Sequence, residues 1–252
     1  MATTLPDPTS AGAGRWAMFL DIDGTLIDLA VTPNAVTVPP TLPTILDSWQ
    51  ARLGGAFALI SGRTLAQIDG LFHPHHYDAA GSHGLEWRHD GLSLLMATNR
   101  SAEIAAVAAF TEGLVRECPG LGLERKTHSL VLHYRAAPER ESQAEDIADR
   151  VLARLGPGFH RIAGKAVIEI IPAGTDKAAA LTRFMGCGAY RGRLPLFAGD
   201  DLSDEACFAA VNRMGGISIH IGNNPATRAQ ARLPTPASLR DWLAAIPRLV
   251  AE

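Results

Sequence analysis

The chain is 252 residues long with 47% apolar and 19% charged residues, a globular composition with length for one or two domains and a sizeable core. Its 23 Lys and Arg against 26 Asp and Glu leave a net charge of −3, which excludes a general nucleic-acid binder, since that needs a basic excess to neutralise phosphates. No apolar run reaches the ~18 residues of a membrane span, and Cys118, Cys187 and Cys207 are too scattered for a CxxC pair. A reduced, soluble, cytoplasmic protein with no membrane partner is expected.

Residues 1–15, rich in Ala, Thr, Pro and Gly, read as a disordered tail. Trp16 to Leu20 is a continuous apolar run, as in a strand buried on both faces, and it ends in Asp21-Ile22-Asp23-Gly24. A helix over 42–53 stops at Gly54-Gly55. A second apolar run, 56–60, ends at Ser61-Gly62-Arg63, and Thr64 is placed to cap a helix over 65–71. Apolar strands alternating with helices predict an α/β core with a Rossmann-like, doubly wound parallel sheet.

The middle of the chain changes pattern. A helix over 101–117, strands near 121–126 and 129–135, a helix over 138–155, and a hairpin of 159–163 with 166–171 describe an inserted α+β unit over 86–171. The core is then residues 16–85 and 172–252. After Pro172-Ala173-Gly174 the first pattern resumes, with a helix over 176–185, a strand over 194–198 ending in Gly199-Asp200-Asp201, a helix over 204–213 and a strand over 217–221. Ser238 to Asp241 reads as a capping box opening the last helix, with Pro247 at its fraying end.

In open parallel sheets ligands sit at the carboxyl ends of the strands, where strand order reverses. Three apolar runs end there in polar or small residues: Asp21 and Asp23, Ser61 and Gly62, Gly199 to Asp201. Asp21 and Asp23 alone are equally compatible with backbone-capping turn residues, and Asp200, Asp201 and Asp204 with helix caps. An EF-hand loop is excluded, because its twelfth position would be Thr32 rather than Glu. Several carboxylates in one crevice need a cation, and an all-oxygen ligand set points to a hard ion such as Mg²⁺. Lys177 at a helix start and the Ser61-Gly62 pair suit phosphate oxygens, so the set as a whole fits phosphoryl transfer. His73, His75 and His76 have no partner ligands to complete a metal set, and Trp49, Trp87 and Trp242 read as packing residues.

Asp21-Ile22-Asp23-Gly24-Thr25-Leu26, Ser61, Lys177 and Gly199-Asp200-Asp201-Leu202-Ser203-Asp204 together resemble the four motifs of the haloacid dehalogenase superfamily. The stretch 19–222 further resembles bacterial trehalose-6-phosphate phosphatases. The matching segments are Leu59 to Arg63, Gly81-Ser82-His83-Gly84-Leu85-Glu86, His133-Tyr134-Arg135, and Val167 to Ile170 ahead of Pro172. That resemblance implies a Mg²⁺-dependent phosphatase with Asp21 as nucleophile and Asp23 as general acid and base. The metal would be held by Asp21, the Asp23 carbonyl and Asp200, with Asp204 in support, and the phosphate by Ser61, Gly62 and Lys177. It implies that the inserted unit is a specificity cap binding sugar through Glu124, Lys126, Arg135 and Glu169, with His83 also at the substrate, and hinges near Gly81–Gly84 and Pro172–Gly174. The small-molecule partner would be a sugar phosphate, and the resemblance leaves room for functional coupling to a trehalose-6-phosphate synthase. Related phosphatases of sucrose 6-phosphate or mannosyl phosphoglycerate, a non-catalytic sugar-phosphate sensor and, last, a DxD glycosyltransferase are the competing readings; the last lacks a GxGxxG fingerprint.

Overall fold

A computed structural model describes residues 5–30, 35–95 and 100–245. These residues form two compact units. The first is drawn from the chain up to Leu94, from Asp176–Asp200 and from Asp204 onward; the second is Leu95–Thr175 with Asp201–Ser203.

The first unit is built on an eight-stranded sheet. In chain order its elements are β1 (Trp16–Leu20), α1 (Leu42–Arg52), β2 (Phe57–Ile60), α2 (Leu65–Phe72), β3 (Asp78–Gly81), β4 (Glu86–His89) and β5 (Leu92–Leu95). The second unit's elements follow: α3 (Ser101–Arg116), β6 (Gly122–Arg125), β7 (Leu130–His133), α4 (Glu141–Leu155), β8 (Phe159–Gly164) and β9 (Val167–Pro172). The chain then returns to the first unit with α5 (Lys177–Met185), β10 (Leu194–Gly199), α6 (Glu205–Arg213), β11 (Ile217–Ile221), β12 (Ala231–Leu233) and α7 (Pro236–Ala244).

The large sheet runs β12-β11-β10-β1-β2-β3-β4-β5, parallel from β12 to β3, with β4 antiparallel to β3. Every residue of β1 and β2 is buried, which is why both read as unbroken apolar runs: a parallel sheet covered on both faces has no solvent side for polar residues. Strand β1 lies between β2 and β10, so chain order reverses at β1 and a crevice opens at the carboxyl ends of these three strands.

The second unit has a four-stranded antiparallel sheet, β6-β7-β9-β8. Leu130, Leu132, Ile168 and Ile170 on one face pack with Ile104, Val107, Ala144, Ile147 and Val151 into a separate core. The alternation predicted for β7 is the cause: one side of the strand is apolar and the other carries Ser129, Val131 and His133.

Four expectations need correction. The inserted unit begins at Leu95, not at residue 86, because β4 pairs with β3 (Ala80 opposite Trp87) and buries Trp87 in the large sheet. The first passage between the units therefore lies at Leu94–Leu95 rather than at Gly81–Gly84, whereas the return at Thr175–Asp176 adjoins Pro172–Gly174. Residues 5–15 are packed rather than disordered: Ala11–Arg15 forms a 3-10 turn, Ala13 is buried, and side chains of Arg52, Arg193 and Trp242 donate to carbonyls of this segment. The last helix opens at Pro236 with Thr235 as its cap, one turn before the predicted Ser238 box, because Pro suits the first helical turn and the Thr235 hydroxyl accepts the Ser238 N–H. Pro247 and residues 1–4 lie outside the described residues.

Trp16, Trp49 and Trp242 stack on one another at 5.9–6.0 Å, and the Trp49 indole donates to the Leu243 carbonyl, so these are packing residues. No helix among the described residues is long and apolar enough to cross a membrane.

Candidate active site

Strand β1 delivers Asp21 to the crevice: the Asp21 N–H still donates to Ala198 of β10, and the chain then leaves the sheet. The next residues wind into a tight turn in which the N–H groups of Leu26 and Ile27 both donate to the Ile22 carbonyl. That turn brings Thr25 back over the strand end, where its hydroxyl lies 3.1 Å from Asp21 Oδ2 and 3.3 Å from Asp200 Oδ1. Gly24 is required at its position, with φ +78° and a Cα so close to the Asp200 carboxylate that a side chain would overlap it.

Strand β10 delivers Asp200 beside it. The loop after β10 closes on itself, since the Asp200 N–H donates to Asp204 Oδ2 at 2.9 Å. Helix α5 starts at Lys177, capped by the Asp176 side chain on the Ala179 N–H. The Lys177 ammonium lies 2.8 Å from both Asp21 Oδ1 and Asp204 Oδ1. Asp21, Asp200, Asp204 and Lys177 are all buried. Carboxylate oxygens of Asp21, Asp200 and Asp204 lie within 4.8 Å of one another.

Three carboxylates facing one ammonium set the electrostatics. Burial pushes the Asp21 carboxyl well above the usual range; Lys177 opposes this, and the charges of Asp204 and Asp200 add to it. Burial alone would pull the Lys177 ammonium down, but the carboxylates of Asp204 and Asp21 outweigh it and hold it well above its ordinary value. One cation does not neutralise three buried carboxylates, and the donors are all oxygen. The cluster therefore fits a hard divalent cation.

Asp23 stands apart from that cluster. Its two carboxylate oxygens are gripped by the Arg63 guanidinium, Nε and Nη2 each at 2.6 Å. Ser61 follows β2 and is buried, its hydroxyl accepting the Arg63 N–H at 3.2 Å. Gly62 lies against the imidazole of His83, where an added Cβ would sit 2.7 Å from Nε2. Ser82 and His83 both take left-handed backbone angles, φ 48° and 54°. They are held there by the Ser82 N–H on the Arg63 carbonyl, the His83 N–H on the Ser61 carbonyl and the Ser82 hydroxyl on Glu86. Non-glycine residues persist in this region only where the surroundings over-determine them.

In the second unit, Glu124, Val131 and Glu169 lie opposite one another across β6, β7 and β9, on the sheet face away from the helices. Glu169 is buried, with Lys126 Nζ at 3.1 Å and the Ser129 hydroxyl at 2.6 Å, so its carboxylate is compensated inside an otherwise apolar strand. Glu124 pairs with His133 at 2.9 Å; that hydrogen bond lowers its carboxyl, with Lys126 helping. Arg135 is exposed and donates to the Lys165 carbonyl. The structure thus gathers Asp21, Asp200, Asp204 and Lys177 in one cluster, places Asp23, Ser61, Gly62 and His83 within the first unit, and sets Glu124, Lys126 and Glu169 on one sheet face. His75 and His76 pair separately with Asp47 and Asp69 and do not converge.

Thr25 and Arg63 join the site through the structure, although both sit inside the strand-end motifs. A hydroxyl four residues after a strand-end Asp, and an Arg two residues after a strand-end Ser, are the signals that point to them.

The profile of the trehalose-phosphatase family matches residues 19–237. The chain is 41% identical over 238 residues to the probable trehalose-phosphate phosphatase of Sinorhizobium fredii, covering 94% of this chain and 89% of that protein. It is 36% identical over 231 residues to the trehalose-6-phosphate phosphatase of Escherichia coli, covering 92% and 86% respectively. Among solved structures, the C-terminal domain of the Candida albicans trehalose-6-phosphate phosphatase superposes with a TM-score of 0.77 at 20% identity, covering 96% of this chain and 98% of that one. At that identity the likeness is one of fold.

Proposed function

The chain belongs to the trehalose-phosphatase family, and from that premise we propose that it is a Mg²⁺-dependent phosphatase that hydrolyses trehalose 6-phosphate to trehalose and phosphate. The observation that carries this reading is the buried cluster of Asp21, Asp200 and Asp204 around Lys177 at the switch point of the sheet. Asp21, the Asp23 carbonyl and Asp200 would hold Mg²⁺, with Asp204 in support. Bound there, the ion would offset the carboxylate charge and draw electron density from the phosphoryl oxygens.

The remaining chemistry belongs to the side chains. An Asp21 oxygen attacks phosphorus while the bond from phosphorus to the sugar oxygen breaks, leaving an aspartyl-phosphate. Asp23 gives its proton to the departing sugar oxygen. It then takes a proton from the water that attacks the aspartyl-phosphate, which releases phosphate and restores Asp21. Lys177, Ser61 and the Gly62 N–H hold the phosphoryl oxygens in line. Thr25, bonded to both Asp21 and Asp200, keeps the attacking carboxylate from turning.

Sugar recognition is assigned to the polar sheet face of the second unit, where Glu124, Lys126, Arg135 and Glu169 offer carboxylates for hydroxyl groups and cations for the phosphate. His83, beside Gly62, is assigned to the substrate as well. Functional coupling to an enzyme that makes the sugar phosphate is compatible with this reading.

The experiment is phosphate release from trehalose 6-phosphate, sucrose 6-phosphate, a mannosyl phosphoglycerate and glucose 6-phosphate, each with Mg²⁺ and with EDTA. The expected result is strong preference for trehalose 6-phosphate, lost in EDTA. Turnover of another member alone would overturn the substrate, and silence on all four from folded protein with Mg²⁺ would overturn the activity.

A further inference from the structure

The Arg63 guanidinium makes two charge-assisted bonds to one carboxylate, Nε to Asp23 Oδ2 and Nη2 to Asp23 Oδ1, both 2.6 Å long. The Arg63 side chain is 8% exposed and that of Asp23 is 31% exposed. A planar fork meeting both oxygens of a carboxyl group fixes its direction, which a single ammonium does not do.

The backbone of Arg63 is anchored without help from its own side chain. Its N–H donates to the Ser61 hydroxyl, its carbonyl accepts the Ser82 N–H at 2.7 Å, and Thr64 next to it opens α2 with a capping box closed by Gln67. The first N–H of that helix, on Leu65, is taken by Glu86. The two guanidinium bonds to Asp23 take rotamer freedom from a partly exposed carboxyl group.

We infer that Arg63 is a positioning residue for Asp23: its fork sets the direction of the carboxylate that moves the proton. This rests on the proposed role of Asp23 in the phosphatase reaction. A group that must meet the sugar oxygen in one step and a water in the next gains from being held in one orientation, because displacement by about 1 Å costs on the order of a hundredfold in rate. The same loop carries Ser61, so the phosphoryl-holding hydroxyl and the proton-moving carboxylate are referenced to one short rigid segment.

The test is a double-mutant cycle on trehalose 6-phosphate with the full chain and Mg²⁺, using Arg63→Met, Asp23→Asn and the pair, with circular dichroism and thermal midpoint as folding controls. Arg63→Met is expected to lower kcat by about 10- to 100-fold with KM changed by less than about twofold. In the Asp23→Asn background the same substitution is expected to change kcat by less than about twofold, because there is no longer a proton-moving carboxylate to orient. Arg63→Lys is expected to recover little, and it carries the cycle by itself should Arg63→Met not fold. Multiplying losses in the pair, a change confined to KM, or full recovery in Arg63→Lys would each overturn the inference. Asp23→Asn turning over at the wild-type rate would instead remove the reading of Asp23 on which the inference stands, a result distinct from multiplying losses.

Discussion

At the head of β1, three buried carboxylates share one ammonium, and that imbalance has a consequence for stability as well as catalysis. Asp21 has its carboxyl held well above the ordinary 3.8, so in metal-free protein its ionised form is disfavoured by the fold. That penalty is absent below the unfolded value, where Asp21 is protonated in both states, and it grows as pH rises toward the raised folded value. Asp21→Asn leaves Lys177 paired with Asp204 and removes one buried negative charge. It is therefore expected to abolish turnover with Mg²⁺ present and, in EDTA at neutral pH, to stabilise the fold by about 0.5–2 kcal/mol. Thermal unfolding from pH 4 to 8 checks this, and a variant less stable than wild type at pH 7 would sink it. The carboxylates and Lys177 are legible in the sequence because each follows an apolar run or opens a helix, so chain position alone predicts convergence. Thr25 and Arg63 carry only a spacing signal, because their roles depend on a tight turn and on a loop pinned by Ser82, and neither contact leaves a periodic mark in the sequence.

The elements follow the same division. Strands β1, β2 and β10 are apolar runs and β11 carries Ile at alternate positions, so all four are read within a residue or two. By contrast, β3 (Asp78–Gly81) and β12 (Ala231–Leu233) carry no run of large apolar residues and are completed by a parallel neighbour that supplies the ladder. Strands β4 and β5 announce themselves only as a hairpin, through Asp90-Gly91 at φ 49° and 75°, and the sequence reading merges them with the inserted unit. Helix α2 is capped as predicted, Thr64 and Gln67 closing a reciprocal box. Helix α7 instead starts one turn earlier than the Ser238 pattern suggests, because a Thr-Pro pair competes for the same role and Pro236 cannot contribute an N–H inside a helix. The two helices give a direct comparison. Thr235→Ala is expected to cost about 1 kcal/mol, as Thr64→Ala is, while Ser238→Ala, which removes a hydroxyl 3.0 Å from that of Thr235 but leaves the Ser238 N–H on its cap, is expected to cost less than about 0.5 kcal/mol. Urea unfolding of the three variants checks the order, and a Ser238→Ala loss as large as that of Thr235→Ala would restore the cap to Ser238.

Across the whole molecule, the segment that composition alone marks as disordered is the one whose packing is least expected. Residues 5–15 contain few apolar side chains, so their attachment does not come from hydrophobic periodicity. It comes from backbone carbonyls that accept side-chain donors of the core: Pro6 from the Trp242 indole at 3.0 Å, Ser10 from Arg52 at 3.2 Å and Gly14 from Arg193 at 2.8 Å. Such bonds are invisible in the sequence of the segment, because the specificity resides in the donors. Deleting residues 1–15 would leave these three donors short of a partner each, at about 1 kcal/mol apiece. A loss of about 3 kcal/mol lowers the thermal midpoint by about 6–12 °C in a chain of this size. The segment meets the sheet at the amino end of β1, and Asp21 leaves the carboxyl end of the same strand, roughly 17 Å away. kcat and KM measured well below the midpoint are therefore expected to be unchanged. A midpoint unaffected by the deletion would return the segment to disorder, and a large change in kcat at low temperature would mean that the amino and carboxyl ends of the sheet are coupled.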